Sequence, residues 1–227
     1  MMRVLEPELM TSEAPVAAYA GADLTEINQG IVDSFQARFP GFRGSCLLDL
    51  GCGAADVSIR FAKAYAGIAV LGVDGSGRML DEARRAVQRA GFEYRIRFAQ
   101  HRLPDERLPR ESFDAVVANS VLHHLEDPLS LWRTVLHCAK PGAAVMVVDL
   151  CRPRSVEEAE ALVLRFAAEA APLLREDFFH SLCAAYRADE VREQLKHSGL
   201  NGFQTALLGD LQLVAWGTTG ETAACVR

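Results

Sequence analysis

At 227 residues the chain is long enough to bury one substantial core, and half of its residues are hydrophobic, yet charge or glycine interrupts every apolar run before the roughly 20 residues a membrane span requires. A formal charge of −6, from 24 basic and 30 acidic side chains, removes the global basic field that favours nucleic-acid backbones. The cysteines Cys46, Cys52, Cys138, Cys151, Cys183 and Cys225 form no C-x-x-C pair and no Cys/His cluster at zinc spacing, so reduced thiols and no metal are expected. The opening residues Met1 to Glu8 carry acids where a secretory signal would be basic and then apolar, which predicts a cytoplasmic protein.

Apolar residues Leu24, Ile27, Ile31, Phe35 and Phe39 recur at helical spacing, with Asp23 as N-cap and Pro40-Gly41 as the stop. Cys46 to Leu50 reads as a buried strand ended by Gly51, followed by a helix from Val57 to Ala66. Ala69 to Val73 repeats the strand, and Ser76 caps a helix running to Gly91. A third strand is predicted over Tyr94 to Phe98 and a fourth over Phe113 to Ala118. Asp127-Pro128 opens a helix that Lys140-Pro141-Gly142 should close before a fifth strand, Ala144 to Val148. Continuously apolar strands alternating with helices predict a parallel sheet covered on both faces. Residues 155–198 give two or three helical segments, the last closed by Gly199. Residues 203–208 and 211–216 flank Gly209-Asp210 and so predict an antiparallel hairpin. The fold class is therefore α/β, a doubly wound, mostly parallel seven-stranded sheet with a reversed last strand and a helical cover. Arg84, Arg85, Arg89, Arg95, Arg97 and Arg102 are expected to form a solvated face.

Leu47-Leu48-Asp49-Leu50-Gly51-Cys52-Gly53-Ala54-Ala55-Asp56 is a glycine turn at the carboxyl end of the first strand, where open parallel sheets bind ligands. A dinucleotide site wants glycine at position 56, leaving the helix terminus open to a pyrophosphate. Asp56 stands there and would repel one. Asp74, at the end of the second strand, is placed to accept ribose hydroxyls. A turn that avoids phosphate beside a ribose-binding acid implies a nucleoside with a cationic or zwitterionic tail, a description that S-adenosylmethionine meets.

Over residues 40–150 the chain resembles the class I S-adenosylmethionine-dependent methyltransferases of the small-molecule type. The resemblance rests on Leu48-Asp49-Leu50-Gly51-Cys52-Gly53, on Gly72-Val73-Asp74, and on the run from Phe113 through Asn119-Ser120-Val121-Leu122-His123-His124-Leu125. It extends to Leu131-Trp132 with Leu136, Lys140-Pro141-Gly142-Ala143, and the closing hairpin. The resemblance implies that Asp49 and the Gly51-Cys52-Gly53 backbone hold the methionine part, that Asp74 with Gly75 and Ser76 holds the ribose, that Met79 covers an adenine face, and that Asn119 and Ser120 lie beside the sulfonium. Where the family often has Gly-Asp, this chain has Gln100-His101, and either side chain can accept the adenine amine. His123 or His124 is placed to take a proton from the acceptor, or else to bond the start of the helix at Asp127.

The expected division is an N-terminal helical cover, 1–40, and a cofactor-binding domain, 41–227, with a helical insertion at 155–198. The cover segments, 12–30 and 155–187, are expected to wall an acceptor pocket, with Tyr19 near the cofactor and Phe178, Phe179, His180 and Tyr186 contacting the acceptor. The function so predicted is methyl transfer by direct displacement to a small-molecule nucleophile, with no nucleic-acid or membrane partner and the oligomeric state open. An RNA or protein methyltransferase, or a non-catalytic S-adenosylmethionine-binding subunit, is the alternative. Asn119 is followed by Ser-Val-Leu and not by the Pro-Pro-aromatic run that grips a planar amine.

Overall fold

The computed structural model describes residues 1–6, 16 and 24–220. In chain order its elements are α1 (Thr25–Arg38), β1 (Cys46–Leu50), α2 (Asp56–Ala64), β2 (Ala69–Asp74), α3 (Gly77–Ala90), β3 (Ile96–Gln100) and β4 (Phe113–Asn119). A 3-10 turn at Leu122–His124 leads to α4 (Leu129–Cys138) and β5 (Ala139–Leu150). Then come α5 (Val156–Phe166), α6 (Pro172–Ala184), α7 (Ala188–His197), β6 (Gln204–Leu208) and β7 (Gln212–Thr218). The strands form one seven-stranded sheet in the order β3-β2-β1-β4-β5-β7-β6, in which β7 runs antiparallel to both neighbours. This is the predicted doubly wound sheet with its reversed last strand.

Alternation along the strands divides the core in two. Leu47, Val70, Ala115, Val117, Met146 and Val148 face α1, α2 and α3, where Phe35 is fully buried and meets Phe39, Phe42 and Phe61 at ring separations of 4.8, 5.2 and 5.1 Å. Leu48, Leu50, Val116, Ala118, Val145 and Val147 face α4 and α7, with Trp132, Leu131 and Val191 beneath them. The segment 155–198 is therefore of two kinds. Its third helix, α7, closes the main core, whereas α5 and α6 share a small cluster of their own around Leu150, Ala159, Leu182 and Ala185. Among the described residues no helix is long and apolar enough to cross a membrane.

Among the boundaries that differ from the sequence expectation, three have clear local reasons. β3 begins two residues late, at Ile96, because Phe92 to Arg95 form a turn after the left-handed Gly91 cap of α3. α4 stops at Cys138 and not at Lys140, because Ala139 already pairs with Phe113 before residues 140–143 bulge out of register. The N-cap of α1 is Leu24, without a side-chain bond, and Asp23 lies outside the described residues. Arg95 is also no solvated charge. Its guanidinium donates to the carbonyls of Ala62, Tyr65 and Ala66 at 2.6, 3.1 and 2.7 Å and so caps the carboxyl end of α2.

Candidate active site

Four parallel strands bring Leu50, Asp74, Gln100 and Asn119 to one edge of the sheet. Gly51 turns the chain at φ +71°, and a Cβ there would sit 1.8 Å from Val121 Cγ2, so conformation and space both demand glycine. The amides of Gly51 and Cys52 donate to the Val73 carbonyl at 2.7 and 3.0 Å, which holds the turn against the end of β2. Gly53 N donates to Asp74 Oδ2 at 3.0 Å and Ser76 N to Asp74 Oδ1 at 2.8 Å. Asp74 thus ties the turn to the start of α3 while each oxygen keeps acceptor capacity. Burial pushes its carboxyl up, against the opposing pull of those N–H groups.

Asp49 is 1% exposed, and Ser58 Oγ donates to its Oδ2 at 2.5 Å. Burial raises its carboxyl to about 6, against the Ser58 bond, and the charge of Asp74 adds to the rise. A cleft of about 280 Å³ opens here, lined by Asn28, Asp49, Gly51, Gly53, Asp56 and Asn119 among others. Asn119 Oδ1 is buried with no hydrogen-bond partner, and Ser120 turns the chain away at φ +54°, a conformation costly for a residue with a side chain. Asp56 accepts from Asn28 Nδ2 at 2.9 Å and Arg60 Nε at 2.7 Å, so α1 closes one wall of the cleft. Asn28 carried no signal in the sequence beyond its place in an amphipathic helix. Cys52 also lines the cleft, but its Sγ would lie 2.8 Å from a Cβ at Gly72, and burial raises its thiol well above the ordinary range, so it packs as a small apolar group.

Beyond Asn119 the 3-10 turn buries His123, whose Nδ1 lies 2.5 Å from Asp149 Oδ1. Asp149, on β5, also accepts from the backbone N–H of Leu122, His123 and Leu150 at 2.6, 3.2 and 2.6 Å. Burial opposes a charge on the imidazole, but the Asp149 carboxylate outweighs it and raises His123, with Glu6 adding and Arg3 opposing. Burial likewise opposes charge on Asp149, and His123 with the backbone donors lowers it nonetheless. His124 is different: burial, then the charge of His123, pushes it down to about 3, so it stays neutral. The sequence placed the histidines here but not Asp149, because only strand pairing brings β5 beside the turn after β4. It also missed Arg3, which donates to the carbonyls of His123, Leu125 and Ala184 at 2.8, 3.1 and 2.5 Å.

The remaining expected residues scatter. Gln100 pairs with Asp74 across β2 and β3, and its Nε2 donates to the Gly75 carbonyl at 3.1 Å, so it lies against the turn, whereas His101 Nδ1 turns to Asp105 at 2.7 Å. Met79 is buried in the first turn of α3, its N–H on Ser76 Oγ, and is not in the cleft wall. Phe178 and Phe179 pack against the small cluster of the cover helices. His180 is half-exposed and lies 3.9 Å from Glu176. Tyr186 lies under the Arg3 guanidinium at 4.0 Å, donates to the Leu125 carbonyl at 3.2 Å, and borders an open groove of about 780 Å³ with Asp127, Glu190 and Gln194. Of the four expected acceptor contacts, Tyr186 alone borders one of these two openings. Tyr19 lies outside the described residues.

Residues 48–145 match the family described as Methyltransferase domain. Over 118 residues the chain is 34% identical to the ubiquinone biosynthesis O-methyltransferase of Caulobacter vibrioides, covering 51% of this chain and 44% of that protein. Over 128 residues it is 29% identical to the 27-O-demethylrifamycin SV methyltransferase of Amycolatopsis mediterranei, covering 56% and 47%. The chain spans about half the length, or less, of these two relatives. Its fold is that of a SAM-dependent methyltransferase from Aquifex aeolicus, at TM-score 0.65 and 16% identity over 90% of this chain and 97% of the other. It is also that of the plantazolicin methyltransferase BamL, solved with a triazolic desmethylPZN analog and SAH, at TM-score 0.70 and 13% identity over 92% and 91%.

Proposed function

We propose that the chain is a class I S-adenosylmethionine-dependent methyltransferase that methylates a hydroxyl group of a small molecule, a reading supported by the match of residues 48–145 to the family described as Methyltransferase domain. The observation that carries the cofactor reading is the pair of acids, buried Asp49 and half-buried Asp74, on neighbouring strands beside a glycine turn that a third acid, Asp56, closes to phosphate. The residues fit the group. Asp49 is an acceptor for an ammonium, the spare lone pairs of Asp74 suit two ribose hydroxyls, and the unpartnered Asn119 oxygen faces a cleft that takes positive charge. The Gln100 amide oxygen, beside Asp74, is the acceptor for the adenine amine.

When bound, S-adenosylmethionine supplies a methyl group on a sulfonium, open to in-line displacement by a lone pair. A thiolate or a free amine needs no base for that, whereas a hydroxyl must lose a proton. The buried His123–Asp149 pair supports the hydroxyl reading, because Asp149 holds the Nδ1–H tautomer and leaves Nε2 to receive the acceptor's proton. Asp149 then stabilises the imidazolium that forms, the division of labour of a general base and its orienting carboxylate. His124, lowered to about 3 by burial and by the charge of His123, is too weakly basic for that role. Two of the relatives are named for oxygen methylation, which agrees with this chemistry.

Calorimetry with S-adenosylhomocysteine tests the site. Asp74→Ala should weaken binding about ten- to a hundredfold, the loss of a charge-assisted hydrogen bond. Wild-type affinity in a folded Asp74→Ala protein would overturn the assignment.

A further inference from the structure

Residues 1–6 run back across the 3-10 turn and α6, held by Val4 N on the Cys183 carbonyl at 3.1 Å and by the Arg3 guanidinium. They carry Glu6 inward, with its side chain 18% exposed. Glu6 Oε2 lies 3.9 Å from His123 Nε2 and 3.6 Å from His124 Nδ1, too far for good hydrogen bonds. Two ligands each about 2.1 Å from one ion are at most about 4.2 Å apart, so both separations fall within the reach of a shared metal. All three ligand atoms lie within 4.8 Å of one another.

The surroundings are those of a cation site. His124 Nδ1 is buried and has no hydrogen-bond partner. Asp149 takes the other nitrogen of His123, which aims the Nε2 lone pair away from itself, and Ser181 Oγ donates to Glu6 Oε2 at 2.9 Å and fixes the carboxylate. Asp177, on α6, adds negative charge beside Glu6, and its Oδ2 is also buried without a partner. Arg3 is the opposing charge at His123, and His180 faces Glu6 from α6.

We propose that Glu6, His123 and His124 form a binding site for a late first-row divalent metal ion such as Zn²⁺, with Asp149 and Ser181 orienting the ligands. Two imidazoles and a carboxylate suit zinc or cobalt, whereas magnesium and calcium want oxygen throughout. Three protein ligands leave one tetrahedral position for an exchangeable group. An ion there engages the nitrogen that the acceptor's proton would reach, so metal occupancy and proton transfer at His123 exclude each other. Spacing in the sequence conceals this site because Glu6 comes from the far end of the chain.

The test needs neither cofactor nor acceptor. Metal-free protein is titrated with Co²⁺, followed by its visible absorption, and with Zn²⁺ by calorimetry. One ion per chain is expected, with Zn²⁺ displacing Co²⁺. Affinity should fall at least tenfold in Glu6→Gln and in His124→Gln, and about ten- to a hundredfold in Asp149→Asn, while His180→Gln leaves it unchanged. Thermal melts establish that each variant is folded. Absence of binding to the wild type, or wild-type Zn²⁺ affinity in both folded Glu6→Gln and folded His124→Gln, would overturn the proposal.

Discussion

A carboxyl as buried as Asp49 cannot be a passive wall, because its charge state is set by what enters the cleft. An isolated carboxyl titrates near 3.8 and Asp49 near 6 in the folded, ligand-free chain. Between those values the folded state holds a proton that the unfolded state lacks, so stability falls as pH rises from about 4 to about 6 and is level above, a loss on the order of 3 kcal/mol. An ammonium that needs the ionised carboxylate must displace that proton below pH 6. S-adenosylhomocysteine affinity should therefore rise about tenfold between pH 5 and pH 7, and Asp49→Asn should abolish the slope as well as weaken binding. Calorimetry at several pH values decides this, and a flat wild-type profile would remove Asp49 from the ammonium site. Asp49 and Asp74 were legible in the sequence because a strand, a glycine turn and a second strand put them at fixed offsets. Asp149 and Glu6 were not, since only tertiary pairing and the returning N-terminal segment give them partners. Phe178 and Phe179 are the opposite case: aromatics outside the sheet pattern looked available for a ligand, and the structure packs them, partly buried, against the shared face of α5 and α6.

Helices α4 and α7 meet the same sheet face through a polar contact in an otherwise apolar layer. Trp132, fully buried, donates its indole N–H to Gln194 Oε1 at 3.1 Å. Gln194→Leu strands that donor and should cost roughly 1–3 kcal/mol in urea unfolding. Trp132→Phe also loses packing, and the two changes together should cost less than their sum, because the second removes the orphan that the first creates. Strict additivity would mean the bond contributes nothing. At this level the sequence was readable wherever a cap or a glycine marked an end, as at Ser76 and Gly91. It misled at Lys140-Pro141-Gly142, a helix stop by its chemistry. There β5 starts earlier, at Ala139, and tolerates the proline and the left-handed glycine as a bulge.

The sheet as a whole followed from connection lengths: helical crossovers force parallel pairing and a connection as short as Gly209-Asp210 forces a hairpin, so strand sense was legible, as was the edge where ligands bind. Less visible was the insertion of β7 between β5 and β6, which makes a late segment the centre of that half of the sheet. Ala215 pairs with Val147 on one side and Thr205 on the other. Ala215→Pro should accordingly cost about 3 kcal/mol or more and leave little soluble protein, whereas ordinary yield and melting temperature would show that this half of the sheet closes without it. The same insertion has a consequence during synthesis. Until residues 151–211 have been made, the outer edge of β5, with Val145, Met146, Val147 and Val148, has no strand to pair with. At ribosomal speeds that interval is roughly 3–12 s, long for an apolar edge that can template pairing between nascent chains on one message. Slower translation across the helices that separate β5 from β7 should therefore lengthen that exposure and lower the soluble yield.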